Sequence, residues 1–117
     1  MIRPYRDRLR RARQAAGRWF VAEVHGTSMS PTLEDGDLVL VDQSRSVVVG
    51  CLAVLDLPDG TRAVKRVTRA EPGGWWVERD NPRRGVDSWS VGAIPADAVL
   101  GVVLHRLWPR PRSLVRP

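Results

Sequence analysis

Residues 25–41 read HGTSMSPTLEDGDLVLV, and the rest of the chain is organised around this stretch. Its Gly-Thr-Ser-Met segment at 26–29 predicts a tight turn that presents Ser28, and a Gly-Asp turn then leads into an apolar strand over 38–41. A serine in a turn is most often a solvated residue whose hydroxyl bonds its own backbone. The importance of Ser28 therefore depends on a second residue, Lys65.

Lys65 is the only lysine of the chain, because the other 18 of the 19 basic residues are arginine. It lies in residues 62–67, whose alternating β-branched pattern predicts a strand with Lys65 and Arg66 on opposite faces. Arginine stays protonated in proteins, whereas burial lowers the pKa of a lysine. A buried neutral lysine can act as general base for a serine nucleophile. A solvated surface lysine is the commoner alternative, but the use of arginine everywhere else favours a special role here.

Four segments of the chain, taken in order, resemble the type I signal peptidases, a family of Ser-Lys proteases. Residues 26–37 resemble the nucleophile segment of that family, and residues 50–57 resemble the segment that follows it. Residues 64–67 resemble the segment that bears the general-base lysine. Residues 80–95 resemble the last segment through their Asp-Asn-Pro, Asp-Ser and Gly-Ala-Ile-Pro motifs. Each motif is modest alone, but their order and the 37-residue spacing of the serine and the lysine are specific.

The resemblance implies a mainly β fold, with a signal-peptidase-like antiparallel β-barrel or coiled β-sheet. It implies a serine endopeptidase in which Ser28 is the nucleophile and Lys65 the general base, with no cofactor and no metal. The remaining site residues that it implies are the oxyanion or substrate-binding positions Gly26, Thr27 and Met29 and the supporting positions Asp80, Asn81, Asp87 and Ser88.

Four positions depart from the family pattern: Cys51 replaces an aspartate, Arg79 a glycine, Gly85 a serine that helps to hold the base lysine, and Trp89 an arginine. The loss of the serine leaves open how the lysine is oriented, and Ser88 and Ser90 are the substitutes that we consider. The loss of the arginine leaves open which cation pairs with Asp87.

The length of 117 residues predicts one domain with a modest core, over residues 19–108. Residues 1–18 form a basic N-terminal arm with seven arginines and one aspartate. We expect either a short helix over 5–16 or a frayed, solvated arm, and its charge suits an acidic docking surface, nucleic acid or anionic lipid. The Pro/Arg-rich tail at 109–117 is expected to be extended and disordered.

Hydrophobic alternation and turn residues predict a series of short strands. The Pro-Asp-Gly turn at 58–60 predicts an antiparallel hairpin, and Gly50 predicts a break between two short strands. The residues before the last strand read as a polar loop. The predicted strands are 19–24, 38–41, the two halves of 47–57, 62–67, 75–77 and 98–108, and the predicted loop is 79–95.

Four further side chains have structural interpretations. His25 is not our choice of base, because it precedes the nucleophile on the incoming strand and no acidic partner for it is evident. Adjacent Trp75 and Trp76 point to opposite faces of a strand, so packing is favoured over a stacking platform for nucleic acid. The single cysteine, Cys51, predicts a buried small side chain and no internal disulfide.

The chain has no apolar run of the roughly 20 residues that span a membrane, and it has no secretory signal. It differs in this from typical type I signal peptidases, and we expect a soluble, cytoplasmic enzyme. Its anchorless form and its Trp-Trp-Val, Asp-Asn-Pro and Asp-Ser layout look most like the maturation proteases of nickel-type superoxide dismutase, which remove an N-terminal propeptide. The expected partner is accordingly a propeptide-bearing precursor protein.

Two other functions stay open. A repressor-type self-cleaving domain shares the dyad and the fold, but only 27 residues precede Ser28, too few for a helix-turn-helix domain. A non-catalytic basic β-module would use the arginine arm to bind nucleic acid or acidic membrane, and its binding would weaken steeply with salt. Nucleic acid is the less expected partner.

Overall fold

The computed structural model describes residues 2–4 and 18–115, and the strands among them form one antiparallel β-sheet. The mainly β fold predicted from the sequence is confirmed. The only helical elements in the described residues are a short helix, α1 (Ser88–Val91), and a 3-10 turn (Ala96–Ala98). The strands are β1 (Ile2–Pro4), β2 (Trp19–Val24), β3 (Leu38–Asp42), β4 (Leu52–Asp56), β5 (Arg62–Glu71), β6 (Gly74–Glu78), β7 (Ile94–Pro95), β8 (Val99–Trp108) and β9 (Arg112–Ser113).

The order of strands across the sheet is β1-β2-β3-β8-β4-β5-β6-β7, and β9 pairs with β8. β8 therefore lies between β3 and β4 and joins the strands that flank the nucleophile segment to the β4–β5 hairpin. β1, at one end of this order, also lies close to β5. The sheet is thus coiled, which brings the turn after β2 near the start of β5.

β4 is the most deeply buried strand, and its side chains alternate between two hydrophobic clusters. Leu52 and Val54 belong to the first cluster, which also contains Met29 and Leu33 from the segment after β2. Ala53 and Leu55 belong to the second cluster, which is completed by side chains of β5, β6, β7 and β8. A strand that is covered on both faces is expected to read as a continuous apolar run, and LAVL is such a run.

The β4–β5 hairpin has the pairing predicted from its turn residues. Leu52 lies opposite Arg66, and Asp56 lies opposite Arg62. The turn is closed by the Leu57 N–H, which donates to the Thr61 carbonyl at 2.8 Å. The Asp59 carboxylate accepts the N–H of Thr61 at 2.8 Å. The hairpin is therefore a rigid support for the residues of early β5.

The predictions for strands 19–24, 38–41, 62–67, 75–77 and 98–108 are confirmed within a few residues at their ends. The prediction of a first strand before Gly50 is wrong. Gly50 adopts φ +97°, which turns the chain away from the sheet, and Val48 and Val49 are exposed rather than paired. The Gly50 N–H instead donates to the Val67 carbonyl at 2.7 Å.

The two ends of the chain differ from their predicted states where the structure describes them. Ile2–Pro4 pairs with β2, and the Ile2 side chain is buried in the first cluster, which was not predicted. The described part of the tail, residues 109–115, is held against the fold, because Leu114 packs on the same cluster and its N–H donates to the Leu104 carbonyl at 2.8 Å. The helix predicted over 5–16 and most of the basic arm lie outside the described residues, as do residues 116–117.

The predicted loop 79–95 also contains structure, namely α1 and the two-residue strand β7. The side-chain predictions for Cys51, Trp75 and Trp76 are confirmed. Cys51 is buried in the second cluster, Trp75 packs against that cluster, and Trp76 lies edge-on to Trp89 on the outer side with a 5.2 Å centroid separation. No helix in residues 2–4 and 18–115 is long and apolar enough to cross a membrane.

Candidate active site

The turn after β2 projects Ser28 away from the core. Gly26 adopts φ +89°, a conformation that favours glycine, and its N–H donates to the Asp35 carboxylate at 2.8 Å. A further turn follows, in which the Leu33 N–H donates to the Met29 carbonyl at 2.9 Å. The side chains of Met29 and Leu33 are fully buried, so they anchor the turn while Ser28 faces outward.

Lys65 meets Ser28 across the fold. Its Nζ lies 3.0 Å from Ser28 Oγ and donates a hydrogen bond to it. Lys65 is only 2% exposed, and its backbone pairs with Ala53 of the central strand β4. The neighbouring Arg66 points away, as predicted, and binds Asp80. Two residues separated by 37 positions in sequence are thus brought into contact by β5 and the nucleophile turn.

Burial lowers the pKa of Lys65 below its ordinary value. The Asp87 carboxylate opposes this effect because it attracts the ammonium, whereas the Arg79 guanidinium reinforces it. A lowered pKa makes the neutral amine accessible nearer to neutral pH, and only the neutral amine can accept a proton. In the described residues Ser28 Oγ is the one hydrogen-bond partner of Nζ, so that proton would come from the serine hydroxyl.

The backbone around Ser28 offers amide donors. Within residues 2–4 and 18–115, the N–H groups of Thr27, Ser28 and Met29 have no protein acceptor. Such unpaired amides beside a nucleophile can stabilise a developing oxyanion. The Gly26 N–H is already occupied by Asp35, so Gly26 contributes to the wall of the cleft rather than an amide. The side chain of Met29 lies in the core, which leaves only its backbone for such a role.

Asn81 holds the turn at residues 26–29 through two hydrogen bonds. Its N–H donates to the Ser28 carbonyl at 2.9 Å, and its side-chain amide donates to the Thr27 carbonyl at 2.8 Å. The two hydrogen bonds hold two successive carbonyl groups of the turn in place. Asn81 therefore positions the serine without touching its hydroxyl.

Asp80 ties the same turn to β5. Its carboxylate accepts two hydrogen bonds from Arg66, at 2.9 and 2.7 Å, and one from the Thr32 hydroxyl at 2.6 Å. Burial alone would raise the pKa of Asp80, but the hydrogen bonds from Arg66 and Thr32 hold that pKa below its ordinary value. Bidentate arginine–carboxylate pairs fix geometry as well as charge. Asp80 therefore links the strand that carries Lys65 to the segment that carries Ser28.

Asp87 has a cationic partner that the sequence did not reveal. Arg79, which replaces a glycine of the family pattern, donates from both its backbone N–H and its guanidinium to Asp87 Oδ2, each at 3.1 Å. The other carboxylate oxygen caps α1 by accepting the Trp89 N–H at 3.1 Å. Asp87 therefore does not need an arginine at position 89, where Trp89 stands with 69% of its surface exposed.

Neither serine considered as a substitute holds Lys65. Ser88 is buried, and its hydroxyl accepts the Val77 N–H at 2.8 Å, so it joins the loop to β6. Ser90 is exposed on α1. The hypothesis that either of them orients the lysine is wrong. The side chain of Lys65 is instead held by burial and by its hydrogen bond to Ser28.

Gly85 explains why this position lacks a serine. It adopts φ +107°, and a Cβ placed on it would lie 2.4 Å from Ser28 Cβ and 3.4 Å from Arg79 Cδ. The backbone of the loop thus packs directly on Ser28. Any side chain there would displace Ser28 or the loop, so glycine is required by the close approach.

An open cleft of about 320 Å³ begins at the Ser28–Lys65 pair. Early β5 forms the floor of this cleft. One edge of residues 62–65 pairs with β4, and the other edge has no strand partner in the described residues, because β6 pairs with β5 only from Arg66 onward. His25 lies at the rim of the cleft, and its Nε2 is 3.1 Å from a Glu23 carboxylate oxygen. The statement that His25 lacks an acidic partner is therefore wrong, because side chains two apart on a strand share a face.

The structure brings the predicted Ser28 and Lys65 into contact, whereas Arg79, Gly85 and the Glu23–His25 pair, which lie near them, were not predicted as parts of the site. In the sequence, Arg79 and Gly85 stand out only as departures from a pattern. Taken together, an arginine gained at 79 and an arginine lost at 89 are a signal of compensation. In the described residues no group of three His, Cys, Asp or Glu side chains is arranged to hold a metal ion.

Comparison with known proteins identifies one family. The family model described as Peptidase S24-like matches residues 4–104, which include every residue of the site described above. A search of curated proteins found none that matches the chain.

Replacing Asp87 by alanine should lower the free energy of unfolding by about 3–5 kcal/mol, because it leaves the Arg79 charge without its buried partner and removes the cap of α1. Urea denaturation measures this loss. Asp56→Ala is the matched control, since it removes a carboxylate from a half-exposed pair with Arg62 and should cost under about 1 kcal/mol. Equal losses in the two variants would contradict the structural role of Asp87.

The lowered pKa of Lys65 makes stability depend on pH with a definite sign. Between the folded pKa and the ordinary lysine pKa of about 10.4, the unfolded chain binds more protons than the folded chain. The free energy of unfolding should therefore rise with pH in this window, by at most about 1.4 kcal/mol per pH unit.

Lys65→Met keeps the length of the side chain and removes the amine. This variant should lack the rise, and it should be more stable than wild type below the window because no charge is buried. Denaturation of both proteins at a series of pH values gives the difference curve. A difference that does not change with pH would contradict the shifted lysine.

Proposed function

This chain belongs to the Peptidase S24-like family, and we propose that it is a serine-type endopeptidase with a Ser28–Lys65 dyad. The observation that carries the proposal is the 3.0 Å hydrogen bond between Lys65 Nζ and Ser28 Oγ, with the lysine buried. A serine hydroxyl is a weak nucleophile until a base takes its proton. A desolvated lysine is a base suited to that task.

The proposed reaction has two stages. Ser28 Oγ attacks the carbonyl carbon of the scissile peptide bond while neutral Lys65 takes the hydroxyl proton. The unpaired amides of the Ser28 turn stabilise the oxyanion, and the Lys65 ammonium then returns the proton to the leaving amine. Water attacks the resulting acyl-enzyme, with Lys65 again as base, which releases the second product and restores Ser28.

The unpaired edge of early β5 supports an extended substrate. Residues 62–65 present backbone N–H and C=O groups toward the cleft that ends at Ser28. A peptide can add to such an edge as a further strand, and backbone hydrogen bonds then hold it independently of its sequence. An extended segment laid along β5 would bring one of its carbonyls to the serine.

The proposed substrate is a precursor protein with an N-terminal propeptide, and the precursor of a nickel-type superoxide dismutase is the specific candidate. The resemblance of the motifs at 75–77, 80–82 and 87–88 to those maturation proteases supports it. The basic arm at 1–18 would dock an acidic surface of the precursor. We propose a cytoplasmic location, since the single cysteine requires no oxidising compartment.

Mass spectrometry of that precursor after incubation with the protein tests the proposal. Wild type should give one N-terminal truncation, and Ser28→Ala and Lys65→Met should lose at least about a thousandfold in rate while keeping the fold. Ser46→Ala is the matched control, because Ser46 is an exposed serine outside the cleft, and it should cut like wild type. Cleavage that persists in Ser28→Ala would contradict the dyad.

Self-cleavage is the second candidate, and the Peptidase S24-like family match favours it because repressor-type self-cleaving domains share this dyad and fold. The same experiment reports it through the mass of the enzyme itself. An intramolecular cut should appear in wild type at a rate independent of protein concentration and should be absent from Ser28→Ala. An intact chain after prolonged incubation, together with a cut precursor, would reject self-cleavage.

A further inference from the structure

Two oppositely charged side chains line the cleft at different places. Arg84 belongs to the loop that covers Ser28, and Asp59 belongs to the turn of the β4–β5 hairpin. His25 at the rim and Lys65 at the base are the other ionisable groups of the lining. The proposed peptidase leaves Arg84 and Asp59 without a function.

The position of Arg84 is fixed relative to the nucleophile. Asn81 binds the Ser28 turn, and the loop then turns back through hydrogen bonds from the Arg83 N–H to the Asn81 side chain at 3.0 Å and from the Arg84 N–H to the Asn81 carbonyl at 3.4 Å. The next residue, Gly85, packs on Ser28. Arg84 is therefore presented within one residue of the point where the loop touches the nucleophile.

Arg84 differs from most other described arginines because its guanidinium has no carboxylate partner. Six described arginines form ion pairs with aspartate or glutamate: Arg18, Arg62, Arg66, Arg69, Arg79 and Arg106. Arg84 has no ion pair with any residue in 2–4 or 18–115, and it is the unpaired arginine that lines this cleft. An arginine held beside a cleft without a partner is suited to bind a carboxylate supplied by a ligand.

Asp59 marks the far end of the same cleft. Lys65, Ala63 and Thr61 follow one another along the cleft at two-residue intervals, and Asp59 lies beyond them in the turn. At about 3.3 Å per residue, Thr61 is roughly 13 Å from Lys65. The Thr61 N–H holds the pKa of Asp59 below its ordinary value, so the carboxylate is charged at neutral pH.

We infer that the cleft selects its substrate by charge. Arg84 binds an acidic side chain within about two residues of the scissile bond. Asp59 binds a basic side chain about four residues further along the same extended segment. The inference rests on the proposed peptidase function. Backbone pairing with β5 supplies affinity for any extended chain, and the two charges then set the register, because a shift by one residue moves every side chain to the other face.

A library of twelve-residue peptides tests the inference, with small residues at the centre and each flanking position varied among Glu, Lys and Ala. Cleavage by wild type is followed by mass spectrometry. Wild type should prefer Glu over Lys roughly tenfold in kcat/KM at one position close to the cut, and the preference should weaken as salt is raised.

The variant Arg84→Glu should reverse this preference at the same position. Arg83→Glu is the matched control, because it changes the charge of the adjacent exposed loop residue, which does not line the cleft, and it should keep the wild-type preference. Retention of the Glu preference in Arg84→Glu, or an equal change in Arg83→Glu, would overturn the role of Arg84.

The role of Asp59 is tested with Asp59→Asn, which keeps an oxygen to accept the Thr61 N–H while removing the charge. It should lose the preference for Lys at the distal position and keep the preference for Glu near the cut. Cleavage by wild type without charge preference at any position would reject the inference and leave the peptidase intact. No cleavage of any peptide by wild type would count against the peptidase itself, and the inference falls with it.

Discussion

The burial of one amine beside one hydroxyl is the constraint on which the rest of this structure depends. Lys65 is 2% exposed and 3.0 Å from Ser28 Oγ, and burying an ammonium without a full counter-charge is unfavourable. β5 places the lysine next to the most buried strand of the sheet, where burial lowers its pKa, and loss of the proton removes that cost. The lowered pKa of the lysine and the packing around it thus have the same physical origin.

Two aspartates of one loop convert this local arrangement into a rigid one. Asp80 joins Arg66 to Thr32, and Asp87 joins Arg79 to α1, so the loop is bound both to β5, which carries Lys65, and to the segment that carries Ser28. The backbone of Gly85 then lies against Ser28 with no room for a side chain. These contacts hold Ser28 and Lys65 close together although the two residues come from distant parts of the sequence.

Most of the strands and the pairing of Ser28 with Lys65 were predictable because both leave strong local signals. Apolar residues, either alternating or in continuous runs, mark β2, β3, β5 and β8, and a lone lysine among arginines is visible without any structure. The partner of Asp87 and the pairing of Ile2–Pro4 with β2 were not predictable in this way, since each depends on contacts across the fold. The prediction of a strand before Gly50 was wrong because it relied on three successive valines, and the sequence does not show the positive φ that the glycine adopts.

The unpaired edge of early β5 bears on the tendency of the protein to aggregate. An exposed sheet edge on a flat surface invites association with other sheets and so promotes aggregation. Here the open edge lies at the floor of a cleft whose walls include the Ser28 turn and the loop over it. Walls in this position shield the unpaired edge on its two sides, which is one of the ways in which natural sheets limit association between edges.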